Sequence, residues 1–385
     1  MQKKLIAAAV AGLIAVPALA QSNVTISGRL AAGWENYDSG NAGANNENRV
    51  SDQSSRVIFN VVEDLGGGLK AWGQVDARFS VDTGGQQNMN NGTYAVTNTA
   101  AGFAGGNTGV GFMHANWGKF TIGRWDVHYS EFGAIQSNRA GSLQSNLGLG
   151  FMNTARSGAT GTHSRTPNLI MWDSPNWNGF TARLGYSTFG GVANNGSNEG
   201  RGAADGSDGH VWTGAVRYNN GPWTAGLSHW SKDQEKEIST TMGDESATSA
   251  WLGYTFGMGL KVGLGYNRSA VDASAVAGVG KKGRGAWMLP VSYSFGPHAV
   301  YFQYARAGKT SSFANSGATA WGLGYDYAFS KRTSVGVFYT KIRNDSNAAY
   351  NLFQVSNATG GAAGQMAAGV GADPRQFYIG MAHNF

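Results

Sequence analysis

The chain has 385 residues, with 59 Gly, 7 Pro, no Cys, 12 Trp, 15 Tyr, 18 Phe, 14% charged residues and a formal net charge of +6. The missing Cys excludes thiolate metal sites, iron–sulfur clusters, disulfides and Cys nucleophiles, and abundant Gly without a G-x-y period or much Pro excludes collagen. Charge is well below the roughly 25% usual in soluble domains, so Gly, Asn, Ser and Thr supply the polarity.

Residues 1–20 read as an export signal. Lys3 and Lys4 form a positive start, 5–16 an apolar core and Ala18-Leu19-Ala20 a small-residue cleavage site, which places the mature domain at 21–385. Losing Lys3 and Lys4 lowers the formal charge to +4, which leaves a nucleic-acid partner without support. Beyond Ala20 no stretch approaches the ~20 apolar residues of a spanning helix. Entry into a membrane must therefore be by strands.

Strand signals follow along the whole chain. Period-2 runs start at 24–34, 69–79 and 180–186. Leu260, Val262, Leu264 and Tyr266 alternate with Lys261, Gly263, Gly265 and Asn267. Trp321, Leu323, Tyr325, Tyr327 and Phe329 form one face over Ala320, Gly322, Gly324, Asp326 and Ala328. Phe377, Ile379, Met381, His383 and Phe385 close the series, with His383 expected on the lipid side.

Connections alternate in length. The short ones are turn-forming: Asp64-Leu65-Gly66-Gly67-Gly68, Trp117-Gly118-Lys119, Ser174-Pro175-Asn176-Trp177-Asn178, Asn219-Asn220-Gly221-Pro222, Gly257-Met258-Gly259, Gly296-Pro297-His298 and Ser330-Lys331-Arg332. Long polar segments at 36–54, 82–108, 194–209, 232–246 and 344–372 separate them. Seven short-turn hairpins and one strand at each end predict 16 antiparallel strands. An even strand number, short turns at one rim and long loops at the other describe a closed transmembrane β-barrel, with aromatic residues such as Trp34, Trp72, Trp117, Trp223, Trp230 and Phe385 near strand ends. A secreted β-sandwich also alternates, but lacks this regular short and long spacing. Sixteen strands enclose water rather than a packed interior.

The opening Asn23-Val24-Thr25-Ile26-Ser27-Gly28, the turns at Glu63-Asp64-Leu65-Gly66 and Asp173-Ser174-Pro175-Asn176-Trp177-Asn178-Gly179-Phe180, Gly123-Arg124 and the terminal Phe385 carry a resemblance. The chain resembles the trimeric general porins of Gram-negative outer membranes, in particular the β-proteobacterial type. That resemblance implies a homotrimer among outer-membrane lipid and lipopolysaccharide, passing small hydrophilic solutes and inorganic ions with no cofactor and no enzymatic reaction. It also makes Phe385 the membrane-insertion signal. The third long loop, about 126–166, is expected to fold inward and narrow the lumen; its Ser130-Glu131-Phe132-Gly133-Ala134 is similar to the Pro-Glu-Phe-Gly-Gly of enterobacterial porins.

A diffusion pore works through diameter and field, so inward charges matter most. Parity turns Arg29, Lys70, Arg78, Arg183, Arg217, Asp76 and Asp326 inward, and the resemblance makes Arg124 a wall arginine. The loop adds Asp126 and Glu131 against Arg139, Arg156 and Arg165. Glu131 is expected to face Arg29, Arg78, Arg124 and Arg183 across the gap, with a modest preference for anions. A substrate-selective channel for a sugar or organic anion is the alternative, because Trp72 is inward and Tyr129 and Phe132 lie on the loop. An outer-membrane enzyme or an adhesin barrel is weaker: no G-x-S-x-G is present. Gly278-Val279-Gly280-Lys281-Lys282-Gly283 matches a dinucleotide fingerprint without its strand-to-helix context. Gly308-Lys309-Thr310 lacks the earlier Gly of a P-loop, and the scattered His residues predict no metal site.

Overall fold

The structure is a computed structural model that describes residues 23–84, 88–90, 93–95, 103–136, 143–152, 165–188, 210–233, 244–272, 282–311, 313–352 and 368–385. The expected export signal lies outside the described residues. In chain order the strands are β1 (Asn23–Asp38), β2 (Glu47–Asp52), β3 (Arg56–Gly66), β4 (Leu69–Arg78), β5 (Asn88–Asn90), β6 (Thr93–Ala95), β7 (Thr108–His114), β8 (Gly118–Trp125), β9 (Thr166–Asp173) and β10 (Phe180–Ser187). They continue with β11 (His210–Asn220), β12 (Trp223–Asp233), β13 (Glu245–Thr255), β14 (Leu260–Val271), β15 (Lys282–Phe295), β16 (His298–Ala307), β17 (Ala318–Ala328), β18 (Thr333–Asn344) and β19 (Arg375–Asn384). Only β5 and β6 stand apart, as a hairpin of their own.

Each remaining strand pairs antiparallel with its neighbours, and β2 and β3 are two pieces of one wall strand lying on β1, so 16 strands form the wall. The break between those pieces has a local cause. Ser54 is left-handed at φ 68, and the Asp52 carboxylate accepts the Ser54 and Ser55 N–H groups at 2.7 and 3.0 Å. Much of the segment expected as a long loop at 36–54 is therefore strand, contributed by the end of β1 and all of β2.

The barrel closes where β1 meets β19, from Arg29↔Asn384 to Asp38↔Arg375. Phe385 extends the seam: its N–H donates to Gly28 O at 3.1 Å, and the Gly28 N–H donates to Phe385 O at 2.9 Å. Gly28 is obligatory, because a Cβ there would sit 2.4 Å from the Phe385 ring and 2.5 Å from the Arg56 carbonyl. Closure leaves no strand edge unpaired in hydrocarbon, which is the condition for spanning a bilayer with strands.

The outer face is apolar by strict alternation. Val24, Ile26, Leu184, Leu227, Leu264 and Leu323 are all exposed. Aromatic rings gather at both ends of the strands. At the short-turn end Phe180 packs on Tyr218, Trp223 on Tyr254 and Tyr327 on Phe329; at the long-loop end Tyr186 packs on Trp212, Trp287 on Tyr304 and Trp321 on Tyr339. Two such belts flanking an apolar band mark the two water interfaces.

The inner face differs from one arc to the next. On β14–β17 small residues alternate inward, among them Gly263, Gly265, Ala286, Ala305, Ala307, Ala318 and Ala320. On β1, β3, β4 and β8–β11 the inward positions carry charge. The first arc makes room for a loop, and the second leaves charge facing water.

Candidate permeation site

The site begins where β8 ends. Asp126 donates its N–H to Asn107 Oδ1 at 2.9 Å and accepts Asn107 Nδ2 at 3.0 Å. Arg165, at the far end of the same loop, reaches Asp126 Oδ1 and Asn107 Oδ1, both at 3.0 Å. This ion pair staples the two ends of the loop together before it enters the barrel. Asp126 is therefore a root of the loop, neutralised by Arg165, rather than a charge presented to the gap.

Inside, the chain makes a 3-10 helix at His128–Ala134, with the Ser130 hydroxyl donating to Val127 O at 3.1 Å. Phe132 is fully buried, with its ring on the bare backbone of Gly265; a Cβ there would lie 2.7 Å from the ring. Ile135 fits the same way over Gly253 and Gly263. The wall glycines thus form the floor on which the loop rests, the close approach that strand Gly permits. Lys261 Nζ donates to Ala134 O at 2.8 Å, and Gln136 Nε2 to Gln303 Oε1 at 2.6 Å. Leu143 N–H donates to Gln53 Oε1 at 2.7 Å, so the loop reaches the β2–β3 break as well. Gly133 looks into open space, with nothing within 4 Å of where its Cβ would be.

Glu131 is placed differently from the expectation. Its carboxylate takes the Arg217 guanidinium of β11 in a two-pronged pair, with Nε to Oε2 at 2.7 Å. It is fastened to the wall and does not confront Arg29, Arg78 and Arg183 across a gap. The path of the loop decides this, because Glu131 lands beside β11 when Phe132 sits on β14.

The wall cations form two groups. Arg29, Arg56 and Arg78 are in register on β1, β3 and β4, so three guanidinium stems stand side by side. Directly opposed like charges are destabilising unless compensated. Asp76 compensates at Arg78 (2.9 Å), whose Nη1 also donates to Ser54 Oγ at 2.8 Å. The second group is Lys119, Arg183 and Arg217 around Asp173. Lys119 and Arg183 are register partners of Asp173 on either side, with Arg183 Nε at 2.7 Å from its Oδ1. Arg183 Nη1 also donates to Asp126 O at 3.1 Å, tying this group to the loop root.

Two expected positions fall elsewhere. Arg124 shares the outer face with Phe120 and Ile122, donates to Gly105 O at 2.8 Å and lines a 760 Å³ cavity with Phe59, Val61, Val75 and Val110. It lies among outward side chains and not in the lumen, beside Gly123 at φ 151, where the register of β8 on β9 shifts. Lys70 is inward but exposed at the turn end of β4, eight residues or about 27 Å of strand from Arg78. Arg139 and Arg156 lie outside the described residues. Arg56 and Lys119 were overlooked, although Val57, Phe59 and Val61 alternating outward already turn Arg56 inward. Trp72 and Trp125 are inward too, but Lys119 Nζ sits over both rings, at 3.5 and 4.8 Å from their centroids. Their faces are covered and do not form a stacking ladder.

His128 is also buried within this loop. Its ring nitrogens meet Ser228 Oγ at 2.8 Å and Ser249 Oγ at 3.1 Å. Burial, helped by nearby His229, pushes its pKa from 6.5 down to about 3. A released loop titrates its His near the ordinary value, so the docked loop is fully favoured above about pH 6.5 and is progressively less favoured as the pH falls below it. Current through the channel is expected to grow noisier between pH 6 and 4, and less so in His128→Asn, which single-channel recording across that range would show; pH-independent noise in both would contradict the docking role of His128.

A closed wall, greasy outside and charged inside, with a loop packed on one arc, defines a water-filled transmembrane channel. The Gram-negative porin family model matches residues 7–347, and the chain belongs to that family. It is an outer-membrane protein that crosses with the strands of its barrel. An outer-membrane porin of Bordetella pertussis is 28% identical over 289 residues, 70% of each chain. The anion-selective porin from Comamonas acidovorans has the same fold, with a TM-score of 0.71 and 23% identity over 95% of this chain and 100% of that one. OmpT of Vibrio cholerae in its trimer form follows at 0.61 and 13%, over 94% of this chain and 99% of that one.

Proposed function

We propose that the protein is a general diffusion porin with a mild preference for anions, working as a homotrimer in contact with outer-membrane lipid and lipopolysaccharide. The observation that carries the selectivity is the in-register row of Arg29, Arg56 and Arg78. With Lys119, Arg183 and Arg217 these make six cations against the five carboxylates around them, Asp52, Asp76, Glu131, Asp173 and Asp326. The low-dielectric wall focuses that excess into the water beside the loop.

Passage makes and breaks no bonds, so the reading needs no cofactor and no catalytic group. The trimer rests on the family and on the trimeric relative. Generality rests on Trp72 and Trp125, which meet edge-on with Lys119 over both rings and so, among the described residues, make no ladder for a sugar. Liposome swelling with a size series of neutral sugars and amino acids tests it. Rates are expected to fall smoothly with solute radius. One sugar entering far faster than others of its size would favour the substrate-selective reading instead.

A further inference from the structure

Arg284 on β15 is only 1% exposed, and it faces the lumen side. Its Nη1 donates to Phe151 O at 3.0 Å and to Tyr350 Oη at 3.2 Å, and its Nη2 donates to Met152 O at 2.6 Å. The guanidinium lies 5.5 Å from the Tyr350 ring centroid, and the Phe151 and Tyr350 rings are 5.1 Å apart.

The two sets of partners come from different loops. Phe151 and Met152 belong to a helical turn of the inward loop, in which Gly150 N–H donates to Asn146 O at 3.3 Å and Phe151 N–H to Leu147 O at 3.1 Å. The Arg284 fork gives both of their carbonyls a donor. Tyr350 belongs to the last loop, after β18. That loop is held to the barrel by Asn344, which accepts Tyr350 N–H at 2.8 Å, and by Tyr37, whose hydroxyl donates to Asn351 Oδ1 at 2.8 Å.

No carboxylate pairs with Arg284 among the described residues, and its Nε has no hydrogen-bond partner. A buried cation without a counter-charge is costly. What it gains is geometry: a planar fork can meet two adjacent carbonyls and a third acceptor at once, which a single ammonium or an amide cannot. We infer that Arg284 is a clamp, a positioning residue that locks the inward loop to the last loop and so holds the aperture steady. This rests on the channel reading, but its principal test does not need current.

The test is amide exchange in the purified, folded protein, comparing wild type with Arg284→Met. Segments 146–152 and 345–352 are expected to exchange together about tenfold faster in the variant, as the loss of charged hydrogen bonds implies. Arg284→Lys should fall between. In bilayers the Arg284→Met channel should show greater open-state noise and close at lower voltage. Wild-type exchange in both segments overturns the clamp, and so does faster exchange in one segment alone. Where Arg284→Met does not assemble, Tyr350→Ala removes the last-loop grip without touching a strand, and unchanged exchange at 146–152 then overturns it. Absent conductance in the wild type would defeat the channel reading and leave the exchange result standing.

Discussion

Replacing Phe132 with Ala is expected to loosen the inward loop around residue 132 and raise single-channel conductance. The ring is fully buried on Gly265 and beside Met288. Truncating such a Phe costs about 3–5 kcal/mol. The attachments that remain are the Glu131–Arg217 pair, the Lys261, Gln136, Leu143 and His128 hydrogen bonds, the Arg284 fork and the packing of Ile135. Polar contacts of that kind each contribute about 1 kcal/mol, so together they keep the loop inside the barrel while its stretch around residue 132 loosens and the aperture widens. Conductance and the size of excluded solutes should both rise, while the barrel, whose wall does not contain Phe132, keeps its resistance to heat. A Phe132→Ala channel with unchanged conductance and exclusion limit would show that the loop does not set the aperture.

The second large effect belongs to the arginine row. Substituting Arg29, Arg56 and Arg78 together by Ser should remove the excess positive potential beside β1, β3 and β4. A unit charge about 4 Å away in water is worth about 1 kcal/mol, roughly fivefold in local ion occupancy, and salt at 0.1 M screens it only beyond about 10 Å. The ratio of anion to cation permeability should therefore fall about fivefold or more, and can reverse, because Asp76 loses its partner at 2.9 Å. The equivalent triple change at Lys70, Arg124 and Arg306 should leave selectivity nearly unaltered: Lys70 lies at the rim, and Arg124 and Arg306 point outward. Equal shifts in the two triples would count against an inward cluster.

These residues also mark where the sequence is readable and where it stops. The strand alternation is plain because hydrocarbon outside and water inside impose a strict period on each wall segment, as at Trp321 to Phe329. Each short turn is announced by residues that supply its backbone, such as Gly66, Gly67 and Gly68 at φ 86, 61 and 84. Arg124 was readable as well: Phe120, Ile122 and Arg124 share one parity, and resemblance pointed the other way. Glu131 was recognisable as the carboxylate of an inward loop, but not its partner, because Arg217 is brought to it by the path of the loop over Gly265. The clamp at Arg284 was invisible for the same reason; its acceptors are backbone carbonyls and a hydroxyl from distant segments, and neither leaves a pattern. The β2–β3 break hid within Asp52-Gln53-Ser54-Ser55, whose polarity reads as loop.

A water column bordered by a net cationic wall is read most directly in the zero-current potential of the wild-type protein in a planar bilayer across a tenfold gradient of potassium chloride. A steady, large conductance is expected, with a reversal potential whose sign shows chloride passing more readily than potassium. A potential of the opposite sign, or a protein that inserts and carries no current, would contradict the account.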